Sequence, residues 1–255
     1  MLIAISPAKT LDYETPPVTN THTKPVFLKQ SQQLINNLRN YSALDLAELM
    51  KLSMKLSELN FDRYHDWKRP FTLKNAKQAV LAMKGDVYTG LDAKTLNEAG
   101  FDFAQDHLRI LSGLYGVLKP LDLMQPYRLE MGTKLPNEHG KDLYAFWGDT
   151  ITHAINRDLQ AQGDDILINL ASNEYFKSIN PKLIEGRIIT PQFKEHKNGS
   201  YRIIGIYAKR ARGLMSRYII DKQLSNPQEI KHFSTEGYRY NKQLSKEDQW
   251  VFTRD

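Results

Sequence analysis

Apolar and polar positions along the chain alternate between two periods. Leu2 to Ile5 is a short apolar run stopped by Ser6-Pro7, the pattern of a buried strand that delivers Lys9 and Thr10 to its edge. Asp12 to Pro25 holds three prolines among threonines and reads as an irregular connection. Beyond it, Phe27, Gln30, Leu34, Ile35 and Leu38 trace a helix. Ser42 and Ser53 each open a further helical pattern, the first with Asp45 three residues on as a capping-box variant, and both helices read as packing elements. Ala79 to Met83 predicts a second buried strand, running into Lys84-Gly-Asp-Val-Tyr-Thr-Gly90. Phe101, Ala104, Leu108 and Leu111 have helical spacing. Trp147, Ile151, Ala154, Ile155 and Leu159 form an amphipathic helix closed by Gly163, followed by a strand over Ile166 to Leu170. Arg187 to Glu195 and Ser200 to Lys209 alternate about Asn198-Gly199, a strong hairpin signal.

Strands and helices thus interleave early and a hairpin comes late. The expected class is α+β, a mixed sheet with flanking helices rather than a regular doubly wound sheet. With 255 residues and neither repeat nor low-complexity linker, the chain is expected to form one compact domain over 1–255, two-lobed at most.

The segment Arg109 to Met131 carries the most pointed local signal. Gly113 and Gly116 interrupt an apolar run, and two glycines three apart leave backbone N–H groups open to a phosphate, with Arg109, Lys119 and Arg128 nearby. The preceding helix, the turn and the following segment look like a helix-hairpin-helix, which grips a nucleic-acid backbone through amides. A buried strand-turn connection that uses its glycines only for backbone geometry accounts for the same residues.

Charge sharpens the choice of partner. Lys and Arg total 35 against 29 acids, a net +6, which favours polyanions through counterion release. Lys209, Arg210, Arg212 and Arg217 cluster where the second hairpin strand is expected to enter a helix, and four cations beside open helix amides make a phosphate seat. A solvated basic face, or partners for nearby carboxylates, is the plainer reading of that cluster. Four strand-end loops, Ser6 to Thr10, Lys84 to Thr89, Tyr127 to Glu130 and Ala171 to Glu174, offer the groups from which catalytic sites are assembled, with Lys9 or Lys84 as base or nucleophile and Asp86 or Glu130 as partner.

Other chemistries lose support. With no cysteine, disulfides, iron–sulfur clusters and thiol-based peroxide sensing are excluded. The seven histidines include no His-x-His pair and no His-Glu-x-x-His, and Asp62-Arg-Tyr-His65-Asp66 is the nearest approach to a ligand set, so no metal site is expected. Neither a phosphate-binding Walker loop nor a Gly-x-Gly-x-x-Gly follows a strand, and no cofactor is implied. Met1 to Ser6 lacks a basic region and a long enough apolar core for a secretion signal, and no segment reaches membrane-spanning length; the chain reads as cytoplasmic.

Several motifs, Ser6-Pro-Ala-Lys-Thr10, Lys84 to Leu91, Phe146 to Asp149, Ile168 to Ser172 with Glu174 to Lys177, and Tyr207 to Arg217, closely resemble those of the bacterial YaaA family of peroxide stress resistance proteins. The resemblance spans nearly the whole chain. It implies an unusual α+β fold with a basic cleft, DNA binding, and protection from peroxide by lowering unincorporated iron. Together with the residues above, the expectation is a protein that binds duplex or structured DNA without sequence preference, through Lys9, Lys84, Arg109, Gly113, Gly116, Lys119, Arg128, Lys209, Arg210, Arg212 and Arg217. The alternative is an enzyme acting on a nucleotide-like or phosphorylated small molecule in the same basic cleft.

Overall fold

The structure, a computed structural model, describes residues 1–255. In chain order the strands are β1 (Leu2–Ile5), β2 (Thr10–Leu11), β3 (Lys77–Gln78), β4 (Met83–Lys84), β5 (Leu108–Ser112), β6 (Gly116–Leu118), β7 (Leu123–Met124), β8 (Ile166–Leu170), β9 (Arg187–Lys197), β10 (Ser200–Arg202), β11 (Arg239–Tyr240) and β12 (Gln249–Arg254). The helices are α1 (Leu28–Leu38), α2 (Ala43–Met50), α3 (Met54–Asp66), α4 (Ala79–Ala82), α5 (Asp86–Leu91), α6 (Glu98–His107), α7 (Leu143–Trp147), α8 (Thr150–Gln162), α9 (Asn173–Phe176) and α10 (Gly205–Lys222).

Eight strands make one mixed sheet in the order β11-β12-β9-β8-β1-β5-β6, with β10 added to β9. The run from β12 through β5 is parallel; β6, β10 and β11 are antiparallel. This is the mixed sheet with flanking helices that the alternation of elements predicts. Every residue of β1 is buried, as in a strand covered on both faces. The predicted hairpin is present, with Asn198 and Gly199 both at positive φ as a two-residue turn of this twist requires. Ser42 and Asp45 form the full capping box of α2, and Gly163 closes α8 in the left-handed conformation. No helix is long and apolar enough to cross a membrane.

Three expected elements change type. Ala79 to Met83 is a single helical turn entering a two-residue strand, because Ala79 and Val80 donate to the carbonyls of Asp122 and Pro120 and so cannot run in a ladder. The helix beginning before Phe101 stops at His107, and Leu108 to Ser112 is instead the strand beside β1, in register Ile3 with Leu108. Both are short apolar runs buried on every side, for which periodicity does not separate helix from strand. The second hairpin strand ends at Arg202 and α10 begins at Gly205. Trp147 belongs to the short α7, separated from α8 at Gly148, whose φ is +46°.

α10 is the long helix that covers the sheet, burying Ala208, Ala211, Met215 and Ile219. It also lies against α5 with the two backbones in contact, since a Cβ placed on Gly213 would fall 1.8 Å from the Val87 carbonyl oxygen. Only glycine permits that approach. Gly213→Ala must push α10 off α5, and urea denaturation is expected to show a loss of about 3 kcal/mol, the upper range for overpacking a core. A variant as stable as the parent would mean that the two helices separate without cost.

Candidate functional site: the crevice at the ends of β1 and β8

After β1 the chain moves toward β5, and after β8 it moves the other way, toward β9. Adjacent parallel strands whose connections diverge leave a crevice at their carboxyl ends, the usual place for a ligand in open α/β sheets. Three segments meet there. Ser6, after β1, accepts the Ser172 amide at 2.8 Å and lies 3.3 Å from the Ser172 hydroxyl, after β8. Lys9 Nζ pairs with Glu130 Oε2 at 2.7 Å, tying the β1 loop to the Arg128–Gly132 segment. The Gly132 amide donates to Glu174 Oε1 at 3.0 Å, tying that segment back to the loop after β8. The three contacts close a ring.

The floor of the ring is aromatic and polar. The Tyr88 hydroxyl donates to the Ser6 carbonyl at 3.0 Å, and the Tyr127 hydroxyl shares a 2.6 Å hydrogen bond with Ser112 Oγ at the end of β5. Tyr175 is the third phenol, with Tyr127, Glu174 and Glu130 as its electrostatic neighbours. Burial holds all three phenols well above the ordinary tyrosine pKa, so they stay protonated. Arg128 stands behind Glu130, its Nη2 3.1 Å from Oε1, while its Nε is buried without a partner. The segment is anchored by the Tyr64 hydroxyl, which donates to the Arg128 carbonyl.

Lys84 lies next door through the β2–β4 ladder, which pairs it with Thr10, and Gly85 rests against Ala8. With Lys94, Arg210, Asp12, Asp92 and Tyr88 it lines an open cavity of about 570 Å³. Of the four strand-end loops singled out in the sequence, all four therefore border one region, and Glu130 rather than Asp86 is the acid that reaches Lys9.

The remaining candidate residues go elsewhere. Arg109 to Met131 is not a helix-hairpin-helix: it is the tight β5–β6 hairpin, with Ser112 paired to Gly116 and the turn closed by the Tyr115 amide on Ser112 Oγ at 3.0 Å. Gly113 and Gly116 are buried and offer no amide to a phosphate. Gly113 is seated against the Leu129 carbonyl, while Gly116, at φ +69°, lies under the Trp147 ring. Arg109, its side chain 3% exposed, pairs with Asp158 at 2.5 Å and donates to the carbonyls of Gln105 and Leu108. Lys119 is half-buried beside that pair.

The cationic run of α10 is not at its N-terminus either, because the helix starts four residues before Lys209. Arg210 is held by Glu236 through Nε at 2.9 Å and Nη2 at 2.6 Å. Arg217 pairs with Asp221 and caps the carbonyls of Leu91 and Asp92. Arg212 faces no carboxylate, and burial lowers its pKa. Lys209 alone of the run is exposed without a partner. Two of the four cations are thus spent on carboxylates, Arg210 on one distant in sequence and Arg217 on one a helical turn away.

A helix–turn–helix does occur, formed by the two helices opened by Ser42 and Ser53 that the sequence pattern assigns to packing. α2 and α3 are joined by Lys51, Leu52 and Ser53, and Ser57 Oγ of α3 donates to the carbonyl of Ala43, the first residue of α2. Lys51, in the left-handed conformation, Ser53 and Lys55 are all exposed at the turn. Ser53 makes no cap hydrogen bond, so its hydroxyl is uncommitted and the first amides of α3 have no partner within the helix. The Lys-Leu-Ser break between two helical patterns was its signal. No three His, Asp or Glu side chains anywhere converge as a metal-ligand group.

Arg109→Ala is accordingly expected to lower stability by about 3 kcal/mol, since it strands the Asp158 carboxylate and two carbonyls, while leaving any DNA affinity of the folded protein unchanged. Denaturation and binding measured on the same preparation check this; weaker DNA binding at full stability would restore Arg109 as a phosphate contact.

The family comparison agrees with the motifs that form the ring. The family model described as peroxide stress protein YaaA matches residues 1–244, which include every segment of the crevice and all of α10. The chain belongs to the YaaA family of peroxide stress proteins and has its role in the peroxide stress response.

Proposed function

We propose that the protein serves the peroxide response by binding duplex DNA through the sugar-phosphate backbone, with little dependence on sequence, and that the α2–α3 turn makes the main contact. The observation that carries this reading is the composition of that turn: two exposed lysines, an uncommitted serine hydroxyl and uncapped first-turn amides within five residues. Amides and ammonium groups of this kind hold phosphate oxygens and carry no sequence information. The net charge of +6 adds the long-range attraction. Lys84, Lys94 and Lys209, exposed on other elements, extend the positive field without fixing register.

Affinity for a duplex is then expected to fall steeply with salt. Replacing Lys51 and Lys55 together by Glu should lower the slope of log affinity against log salt by about two, one unit per phosphate contact, with an unchanged melting temperature because both side chains are in solvent. Fluorescence titrations at several salt concentrations check this. Equal slopes for parent and variant would remove the turn from the interface.

The lowering of unincorporated iron follows, on this reading, from the DNA-bound protein and needs no resident iron site. The nearest ligand-like group in the sequence is spent locally, His65 Nδ1 being 2.9 Å from the Phe61 carbonyl and its ring packed on the Phe61 ring. His65→Ala with Asp66→Ala should leave peroxide survival of cells intact. Loss of protection in that variant, or stoichiometric binding of ferrous iron in an anaerobic titration, would make iron control direct.

A further inference from the structure

We infer that the crevice ringed by Ser6, Lys9, Glu130, Gly132, Ser172 and Glu174 is a binding site for the oxyanion group of a small molecule, a carboxylate or a phosphate, separate from the surface proposed to hold DNA. The argument rests on which hydrogen-bonding groups the ring leaves unspent. Most of its acceptors are committed: Glu130 gives one oxygen to Lys9 and the other to Arg128, and Glu174 gives Oε1 to the Gly132 amide and keeps only Oε2. Its donors are not. Lys9 Nζ uses one of three protons on Glu130 and sits on a side chain 61% exposed, so the ammonium reaches solvent and ring alike. Arg128 engages Glu130 through Nη2 alone. The Ser172 hydroxyl accepts from Ser6 and keeps its own proton.

Tyr175 is the sharpest case. The residue is 8% exposed and the Met131 backbone hydrogen-bonds toward its oxygen, yet its hydroxyl donates to no acceptor in the protein. Buried phenols ordinarily find a partner, and an unspent donor in such a place calls for a ligand or solvent acceptor. Glu130 and Glu174 stand close enough to raise its pKa along with burial, so the proton stays on the oxygen and the group acts as a donor. The unspent donors outnumber the one free carboxylate oxygen, and with an ammonium and a guanidinium among them they select an anion that is itself rich in acceptors. The position, at the divergence of the β1 and β8 connections, is where such sheets bind small ligands. This site stands whether or not the α2–α3 turn binds DNA.

The test uses the whole protein with inorganic phosphate and, separately, succinate as probes, followed by thermal shift and isothermal titration against chloride at matched ionic strength. At least one probe should bind saturably in the millimolar range. Tyr175→Phe, which removes only the unspent hydroxyl, should weaken that binding about tenfold, the worth of a hydrogen bond to a charged group. Its melting temperature without ligand should not change. Lys9→Ala should weaken binding similarly, and it carries the test alone if the phenylalanine variant unfolds. Binding of phosphate alone identifies a phosphate ester as ligand, of succinate alone a carboxylate. Duplex DNA affinity should be the same in parent and both variants. Absence of saturable binding for both probes, full affinity in Tyr175→Phe and Lys9→Ala, or a parallel loss of DNA binding in these variants would each overturn the proposal.

Discussion

The register of β1 is the constraint on which the rest depends. A strand buried on both faces and apolar at every position gains nothing from in/out alternation, so a slip of one residue would move no side chain from core to solvent. Polar contacts at its two ends fix it instead. His107 Nδ1 donates to the Met1 carbonyl at 2.8 Å at the start, and Ser6 accepts the Ser172 amide at the finish. Between them Ile3 lies opposite both Leu108 and Ile168. Because β5 and β8 are both read off β1, this one register places Ser112 and Ser172 together, one residue beyond Ser6, and from it the crevice follows.

Charge is spent mainly on holding elements together. A chain of ionic contacts runs from Arg210 on α10 through Glu236 to Arg254 on β12 and on to buried Glu195 on β9, which the Tyr238 hydroxyl also engages. The outer links are partly exposed, where an ion pair contributes about 0–1 kcal/mol. The inner link is different: removing Arg254 would leave Glu195 buried and charged. Arg109 with Asp158 is the same arrangement at the other edge of the sheet. Most lysines, with long stems and strongly hydrated ammonium groups, remain outside, Lys77 being the buried exception, and the exposed positive charge at the α2–α3 turn is carried by Lys51 and Lys55.

The turn and the crevice make different demands on rigidity. A backbone contact to a flexible polyanion needs only exposed donors on a firm helix pair, and α2 and α3 supply this through the Schellman-like close at Lys51 and the Ser57 contact. A small ligand needs donors fixed within a fraction of an ångström, which requires second contacts behind each donor. The ring has these in Tyr88 behind Ser6, Arg128 behind Glu130 and the Tyr144 hydroxyl on the Glu174 carbonyl.

What the sequence by itself determined were features set by near neighbours. The capping box at Ser42, the closing glycine of α8, the Asn198-Gly199 hairpin and the apolar strands β1 and β8 each depend on residues within a few positions, and local chemistry is enough to specify them. The strand-end loops were legible for the same reason, since a polar group that follows an apolar run must surface at its end. Only the tertiary structure decided what depends on distant partners. Ala79 to Met83 carries no period and Leu108 to Ser112 only the end of a helical one, so the carbonyls of Asp122 and Pro120 and the edge of β1 chose their conformations. Whether a cation is free is likewise a long-range matter: Arg109 meets Asp158 and Arg210 meets Glu236 only because the sheet and α10 bring them together. Spacing along a chain records which groups are present, but pairing between charges follows distance in space, and that distance is fixed by the fold.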